Sequence, residues 1–245
     1  MKILISEREH KFGLPQLIRC WKNKGFCEIE YIDEKFIWIE NVGDIILWSR
    51  DRFSTDVPPF ELGLIGNRQT PKPNTVPWIY WAQHPEILEK HKKALRSKRK
   101  TFDVGWCGAR IKRRLDILDW LKHCDRQFIS SEGCKLRLQE YLVFMGSLKF
   151  GISLPGWGPK CHRDIEMMAL GTVPILTPGC CTKYHNPPIE NVHYLKANKP
   201  EDIPELINNA DWESMSAACI EWYEENCSID GSFKVTTEIL HKYNK

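Results

Sequence analysis

Apolar runs alternate with amphipathic segments along the chain, and this order predicts strands that alternate with helices. In the first half, the predicted strands cover residues 1–6, 28–33, 36–40, 44–49 and 77–83, and the predicted helices cover residues 15–24 and 85–98. Residues 54–77 carry five prolines and little periodicity, so we predict a loop there. The run at 44–49 is apolar on both faces, which is typical of a buried strand.

The second half repeats the alternation more regularly. Its predicted strands cover residues 101–107, 126–130, 149–154, 173–176 and 193–195, and its predicted helices cover residues 112–123, 135–145, 162–170, 200–208, 211–225 and 232–243. Gly171 should end the helix at 162–170. The order predicts an α/β fold with a parallel sheet that helices cover on both faces. We place a boundary near residues 96–101, which gives an N-terminal part (1–98) and a C-terminal part (99–245). The final helix is free to return to the N-terminal part.

Composition fits an ordinary globular chain and excludes a uniformly basic surface. The protein has 245 residues, of which 42% are hydrophobic and 27% charged, with a net charge of +3. Seven basic residues and no acidic ones lie within residues 90–100, so the remainder carries 28 basic against 32 acidic residues. We therefore expect no nucleic-acid partner. The basic run itself is either a contact for phosphate or membrane headgroups, or a solvated helix end or linker.

Cysteine usage and hydropathy bear on the cellular setting. The ten cysteines include no C-x-x-C pair, and Cys180 and Cys181 are adjacent, which argues against a zinc site or a disulfide framework. Free thiols in a reducing compartment are the better interpretation. No apolar run approaches the roughly 20 residues that span a bilayer, and the N-terminus lacks the apolar run of a signal peptide. We expect a soluble, cytoplasmic protein without a transmembrane segment.

The strongest candidate site lies in residues 149–179. An apolar strand leads into a turn rich in glycine and proline, and the turn leads into a helix with basic residues at its start. A helix N-terminus presents free N–H groups and partial positive charge, and Arg offers a planar fork that suits phosphate. The residues of this candidate phosphate site are Gly156, Gly158, Lys160, His162 and Arg163.

Glu166 adds a carboxylate to the same helix. Arg163 and Glu166 lie three residues apart and so share one helical face. A carboxylate beside a diphosphate suits the paired hydroxyls of a ribose. The alternative is an exposed ion pair worth a few tenths of a kcal/mol, and the residue types alone do not choose between the two.

Residues 163–175, RDIEMMALGTVPI, resemble the donor-site signature of exostosin-like glycosyltransferases of the GT-B type. Upstream, residues 104–110 with 113–115 are similar to the first strand and helix of the same donor lobe. Downstream, residues 184–188 resemble the Y-x-x-P loop seen there and in related fucosyltransferases. Together the resemblance covers roughly residues 100–208.

The resemblance implies two Rossmann-like lobes of the GT-B type, with a shortened N-terminal lobe for the acceptor and a C-terminal lobe for the donor. It implies transfer of a sugar from a UDP-, GDP- or dTDP-linked donor to a glycan or other hydroxyl acceptor. Glu166 would hold the ribose, and Arg163 with Lys160 the diphosphate. The arginines that would reach the same phosphates from the first turn of the lobe are Arg110, Arg113 and Arg114. We expect no metal and no other cofactor, because the chain has no D-x-D sequence and cations can stabilise the leaving group.

The acceptor side is less defined. An inverting enzyme needs a base for the acceptor hydroxyl, whereas a retaining one does not. Asp51, which follows the apolar strand at 44–49, is the first candidate for the catalytic base, followed by Glu9, His10 and His84. The alternative for each of them, and the favoured one for any single residue, is a solvated loop residue. A non-catalytic module that binds a nucleotide sugar or a glycan through the same fold is the alternative function.

Overall fold

The computed structural model describes residues 2–6, 13–32, 37–40, 45–47, 62–65, 75–109, 117–130, 136–156 and 159–243. Packing divides the chain into two units. The first comprises Met1–Glu89, Lys183–Pro187 and Glu224–Lys245, and the second comprises Lys90–Thr182 and Pro188–Tyr223. The sequence places its boundary after residue 98, whereas this division begins the second unit at Lys90.

The first unit is built on a six-stranded mixed sheet. Its strands are β1 (Lys2–Ser6), β2 (Glu28–Ile32), β3 (Ile37–Glu40), β4 (Ile45–Leu47), β5 (Leu62–Ile65) and β6 (Thr75–Pro77), in the order β2-β1-β3-β4-β5-β6. Strand β3 runs antiparallel to both β1 and β4, and the remaining neighbours are parallel. Only four residues separate β2 from β3, too few for a crossover connection, so β3 must run back.

Two predictions for this unit are wrong. Residues 54–77 contain the strands β5 and β6, although their prolines and glycines predict a loop. The apolar run of β5 includes Gly63, which weakens a strand pattern, and β6 ends in Pro77. The strand predicted at 77–83 is absent, because residues 78–83 have no regular structure although their apolar side chains are buried. The apolar run of residues 78–82 therefore reflects burial of the side chains and not a strand.

Helices α1 (Leu14–Asn23) and α8 (Ile229–Tyr243) pack together in the first unit. Trp21 is fully buried, and its Nε1 lies 3.0 Å from both the carbonyl oxygen of Ile229 and Oγ of Ser232. A buried indole requires such an acceptor. The first turn of α8 is therefore tied to α1 by hydrogen bonding as well as by apolar burial.

The second unit is built on a five-stranded sheet in which every neighbouring pair is parallel. Its strands are β7 (Phe102–Ala109), β8 (Arg126–Ser130), β9 (Leu148–Ser153), β10 (Val173–Leu176) and β11 (Leu195–Lys196), in the order β11-β10-β9-β7-β8. This confirms the predicted α/β class with a Rossmann-like parallel sheet. The strands β8 and β10 have the predicted bounds.

The helices that accompany this sheet are α2 (Pro85–Arg96), α3 (Ile117–Leu121), α4 (Leu138–Gly146), α5 (His162–Ala169), α6 (Ile203–Asn209) and α7 (Trp212–Asn226), with a 3₁₀ turn at Pro200–Asp202. The division between the units falls within α2 and α7. Helix α5 ends as predicted, since Gly171 adopts a φ of 68°. Within the described ranges, no helix is both long and apolar enough to cross a membrane. The nine cysteines that the structure describes are free thiols.

Close packing fixes helix α5 against the sheet. A Cβ on Gly151 of β9 would lie 2.1 Å from Sδ of Met167, so the Met167 side chain fills the space that a side chain at position 151 would need. Because α5 follows β9 and runs back over it, Arg163 and Asp164 lie one turn before this contact, toward the carboxyl end of the strand.

Candidate functional site

The candidate site lies at the carboxyl ends of strands β7 and β9, at the start of helix α5. Ligands of open parallel sheets bind at this edge. Strand β7 supplies Trp106 and Gly108, which alternate onto one face of the strand. Helix α5 supplies Arg163 and Glu166 from its first two turns.

Arg163 is buried against strand β7, with 7% of its surface exposed. Its guanidinium carbon lies 5.1 Å from the ring centroid of Trp106. A Cβ on Gly108 would lie 2.6 Å from Nη2 of Arg163, so the absence of a side chain at this position makes room for the guanidinium. None of the described residues accepts a hydrogen bond from the buried Nη1.

This arrangement leaves a buried cation incompletely satisfied. Arginine stays protonated in proteins, and its five N–H donors require acceptors. Contact with the face of an indole contributes roughly 1 to 2 kcal/mol but accepts no in-plane hydrogen bond. A buried N–H without an acceptor costs about 1–3 kcal/mol, and more when it is charged. An anion that accepts from Nη1 is therefore the chemical complement of this side chain.

Glu166 is held by a phenol from the neighbouring helix. The hydroxyl of Tyr141, in α4, donates to Oε2 of Glu166 at 2.7 Å, and Glu166 is 4% exposed. Burial, and next the Glu166 carboxylate, raise the pKa of Tyr141 well above its usual 10. The interpretation of Arg163 and Glu166 as an exposed ion pair is wrong, because both side chains are buried.

A second carboxylate lies in the first turn of α5. Oγ of Ser153 donates to Oδ1 of Asp164 at 2.5 Å, and Asp164 is buried. Sγ of Cys180 lies 3.6 Å from Oγ of Ser153, and burial, followed by the charge of Asp164, raises the pKa of Cys180 to about 12. The positive end of the α5 dipole thus already faces Asp164. An added anion is better matched by Arg163 than by the bare helix N-terminus.

The glycine-rich turn packs against the loop that follows β10. The carbonyl oxygen of Pro159 accepts a hydrogen bond from the amide of Cys181 at 2.9 Å. Gly179 adopts a φ of 89°, and a Cβ there would lie 3.1 Å from Cγ of Pro155. The described prolines of the turn, Pro155 and Pro159, therefore lie against this loop.

The predicted phosphate residues of the turn differ in exposure. Lys160 is 2% exposed, whereas Gly156 and His162 are half-buried. Gly156 and His162 therefore present surface near the start of α5, whereas Lys160, like Arg163, is buried.

Several predicted site residues lie outside the described residues, and their roles stay predictions. They are Glu9, His10, Asp51, Arg110, Arg113, Arg114 and Gly158. His84 is described in the first unit, half-buried, and burial lowers its pKa. Among the described residues, no group of three or more His, Cys, Asp or Glu side chains is arranged to hold a metal ion.

The sequence did not single out Trp106, Gly108, Tyr141, Ser153 or Asp164 for a role. Trp106 and Gly108 could have been paired, since alternate residues of a strand share a face. Tyr141 carries no such signal, because its partner Glu166 lies on another helix.

Comparison with known proteins identifies no family. The chain significantly matches no protein-family profile and no curated protein. Among solved structures, it is similar to a glycosyltransferase from Rickettsia africae ESF-5, with 15% identity and a TM-score of 0.41 over 64% of this chain and 52% of that one. It is also similar to the N-terminal domain of Candida albicans trehalose-6-phosphate phosphatase, with 9% identity and a TM-score of 0.38 over 64% of this chain and 45% of that domain.

The matched region thus spans about half the length of either structure. At these TM-scores neither similarity supports an activity or the exostosin-like family. The α/β class rests on the strand order and directions of the sheets themselves.

Proposed function

We propose that the second unit binds the diphosphate of a nucleotide-sugar donor at Arg163, and that the protein transfers the sugar to a glycan or other hydroxyl acceptor without a metal. One observation carries this proposal. The buried guanidinium of Arg163 lies at the sheet edge where such ligands bind. No described residue accepts a hydrogen bond from its Nη1.

The chemistry of transfer gives Arg163 its role. When the bond between the sugar and the diphosphate breaks, negative charge grows on the departing phosphate oxygens. A fixed guanidinium that donates to those oxygens stabilises this charge without having to reorganise. In the proposal Lys160 supports the diphosphate, and Glu166, held by Tyr141, accepts hydrogen bonds from the ribose hydroxyls. Asp51, Glu9 and His10 stay candidate bases.

Nucleotide binding tests the proposal. Titration calorimetry with UDP, GDP and dTDP in the presence of EDTA should show saturable binding of at least one of them. Arg163→Met should weaken that binding by about a hundredfold, because one or two charge-assisted hydrogen bonds are lost. Arg126→Met is the matched control, since Arg126 also lies 5.1 Å from an aromatic ring, that of Phe128, but is exposed. Binding that survives Arg163→Met unchanged would overturn the proposal.

The ribose contact has its own test. Glu166→Gln should reduce the preference for the ribonucleotide over its 2′-deoxy analogue, because an amide accepts hydrogen bonds less strongly than a carboxylate. An unchanged preference removes Glu166 from the ribose site but leaves Arg163 as the diphosphate ligand.

Transfer is tested separately from binding. The full chain is incubated with a panel of UDP-, GDP- and dTDP-linked sugars, and release of the nucleoside diphosphate is measured. Release that disappears in Arg163→Met supports a transferase. Tight nucleotide-sugar binding without release or transfer for any donor and acceptor tried would instead identify a binding module.

A further inference from the structure

A second cluster of cations lies at the opposite edge of the same sheet. It surrounds a cavity of about 300 Å³ in the second unit. The basic side chains that line this cavity are Arg96, Lys98, Arg99, Lys100 and Lys149. Four of them belong to the basic run at residues 90–100, which the proposed function does not use. Lys100 lies two residues before Phe102, the first residue of β7, so the cavity lies at the amino-terminal edge of the strands.

Two of these cations are fixed by the end of helix α5. Nε of Arg96 donates to the carbonyl oxygen of Ala169 at 2.7 Å, and Nζ of Lys100 donates to that of Leu170 at 2.9 Å. Cations at a helix C-terminus satisfy the last carbonyls and the negative end of the dipole. Their positions are therefore set before any ligand arrives.

Lys98 and Arg99 are not committed in this way. Both side chains are exposed, and neither forms an ion pair with a residue that the structure describes. Lys149 pairs with Asp103 at 2.7 Å. Among the described residues that line the cavity, five are cations and none is a carboxylate, an imbalance that favours an anion.

We propose that this cavity is a second anion site, which binds a phosphate group through Lys98 and Arg99 with Lys100 beneath them. It is independent of the proposed transferase activity and of Arg163. The planar fork of Arg99 suits two phosphate oxygens, and lysines serve phosphate as point charges.

The rest of the cavity fits the organic part of a phosphate ester. Apolar surface from Leu170, Trp212 and Ile220 lines it beside the cations. Burial lowers the pKa of Lys100 to about 8, so desolvation outweighs the hydrogen bonds that its ammonium group makes. A bound phosphate would favour the charged form of this side chain.

Pyrophosphate is the first probe, titrated calorimetrically at physiological ionic strength, where charges are screened beyond about 8 Å. The variant Lys98→Ala/Arg99→Ala should bind one equivalent of pyrophosphate fewer than the wild type. Alternatively, it should bind pyrophosphate at this site at least about tenfold more weakly. The variant Lys90→Ala/Lys93→Ala is the matched control. It removes two exposed cations from the same basic run, but neither lines the cavity.

The comparison of equivalents keeps this site separate from Arg163. If the proposed function fails, the wild type should still bind one equivalent of pyrophosphate that the variant Lys98→Ala/Arg99→Ala does not bind. Equal weakening in both double variants would show that the whole basic run acts diffusely, and would overturn the site. Absence of any equivalent that depends on Lys98 and Arg99 would overturn it as well.

A second arm distinguishes a lipid headgroup from a free phosphate as the natural source. Sedimentation with phosphatidylcholine vesicles that contain phosphatidylinositol phosphate identifies a headgroup if binding needs Lys98 and Arg99 and pyrophosphate competes. Pyrophosphate binding without vesicle binding identifies a soluble phosphate, and both results support the site. Binding of a single-stranded RNA that weakens equally in both double variants would assign the run to nucleic acid and contradict the proposal.

Discussion

The guanidinium of Arg163 lies over the indole of Trp106, with 5.1 Å between the guanidinium carbon and the ring centroid. The contact joins the first turn of α5 to the carboxyl half of β7 and needs a glycine at position 108. It orients the cation, yet no described residue accepts from its buried Nη1. The contact therefore leaves a buried donor without a described acceptor, and the diphosphate proposal rests on this observation.

Arg163→Met should leave the nucleotide-free protein about as stable as the wild type, or slightly more stable. The substitution loses the contact with Trp106 and the attraction to the buried Asp164, but it also removes a buried N–H donor for which no described residue is an acceptor, and these effects oppose each other. Denaturant unfolding measures the difference. A loss of more than about 3 kcal/mol would show that Arg163 is held by the fold itself.

Gly108→Ala should weaken nucleotide binding as well as stability. The added Cβ would lie 2.6 Å from Nη2 of Arg163 and 2.9 Å from the Trp106 ring, so the guanidinium must move. We expect a loss of about 1–3 kcal/mol in unfolding free energy, which is typical of overpacking. Thermal unfolding with and without UDP or GDP measures both effects.

Gly25→Ala separates the two effects of Gly108→Ala. Gly25 has a φ of 76° and open space around it, so alanine there introduces only backbone strain of about 1–2 kcal/mol. It should lower stability and leave nucleotide binding intact. Equal loss of binding in both alanine variants would contradict the role given to Gly108.

Much of this fold follows from the sequence, but the central contact does not. Strand β10 is predictable because it contains β-branched residues. Helix α5 is predictable because its sequence is amphipathic and Gly171 follows it. Strand β5 was missed because Gly63 interrupts it among prolines. The meeting of Arg163 with Trp106 depends on how β7 and β9 pair, and no local pattern encodes that pairing. The burial of both Arg163 and Glu166 was equally inaccessible, since charged residues three apart on a helix are usually solvated.

Tyr141 and Glu166 should be energetically coupled. Their hydrogen bond spans 2.7 Å between a buried phenol and a buried carboxylate. A double-mutant cycle with Tyr141→Phe, Glu166→Gln and the double variant isolates that interaction. We expect a coupling energy of about 1.5–3 kcal/mol, the range for hydrogen bonds to charged groups. A coupling energy near zero would mean that the carboxylate is satisfied elsewhere.

Lys100 should make stability depend on pH in the alkaline range. Burial lowers its pKa from 10.5 to about 8, so between these values the unfolded chain holds a proton that the folded protein has released. Unfolding free energy from this group therefore rises with pH from about 8 to about 10. Unfolding titrations should show that the wild type gains relative to Lys100→Met across that window. A difference that stays constant with pH would contradict the lowered pKa.

The most direct test of the proposed diphosphate site at Arg163 is a structure of the protein with the nucleoside diphosphate that binds best. We predict a phosphate oxygen about 3 Å from Nη1 of Arg163, at hydrogen-bonding distance, with the guanidinium still over Trp106. A diphosphate bound away from Arg163, or an Nη1 that remains without an acceptor when the nucleotide is bound, would contradict the account.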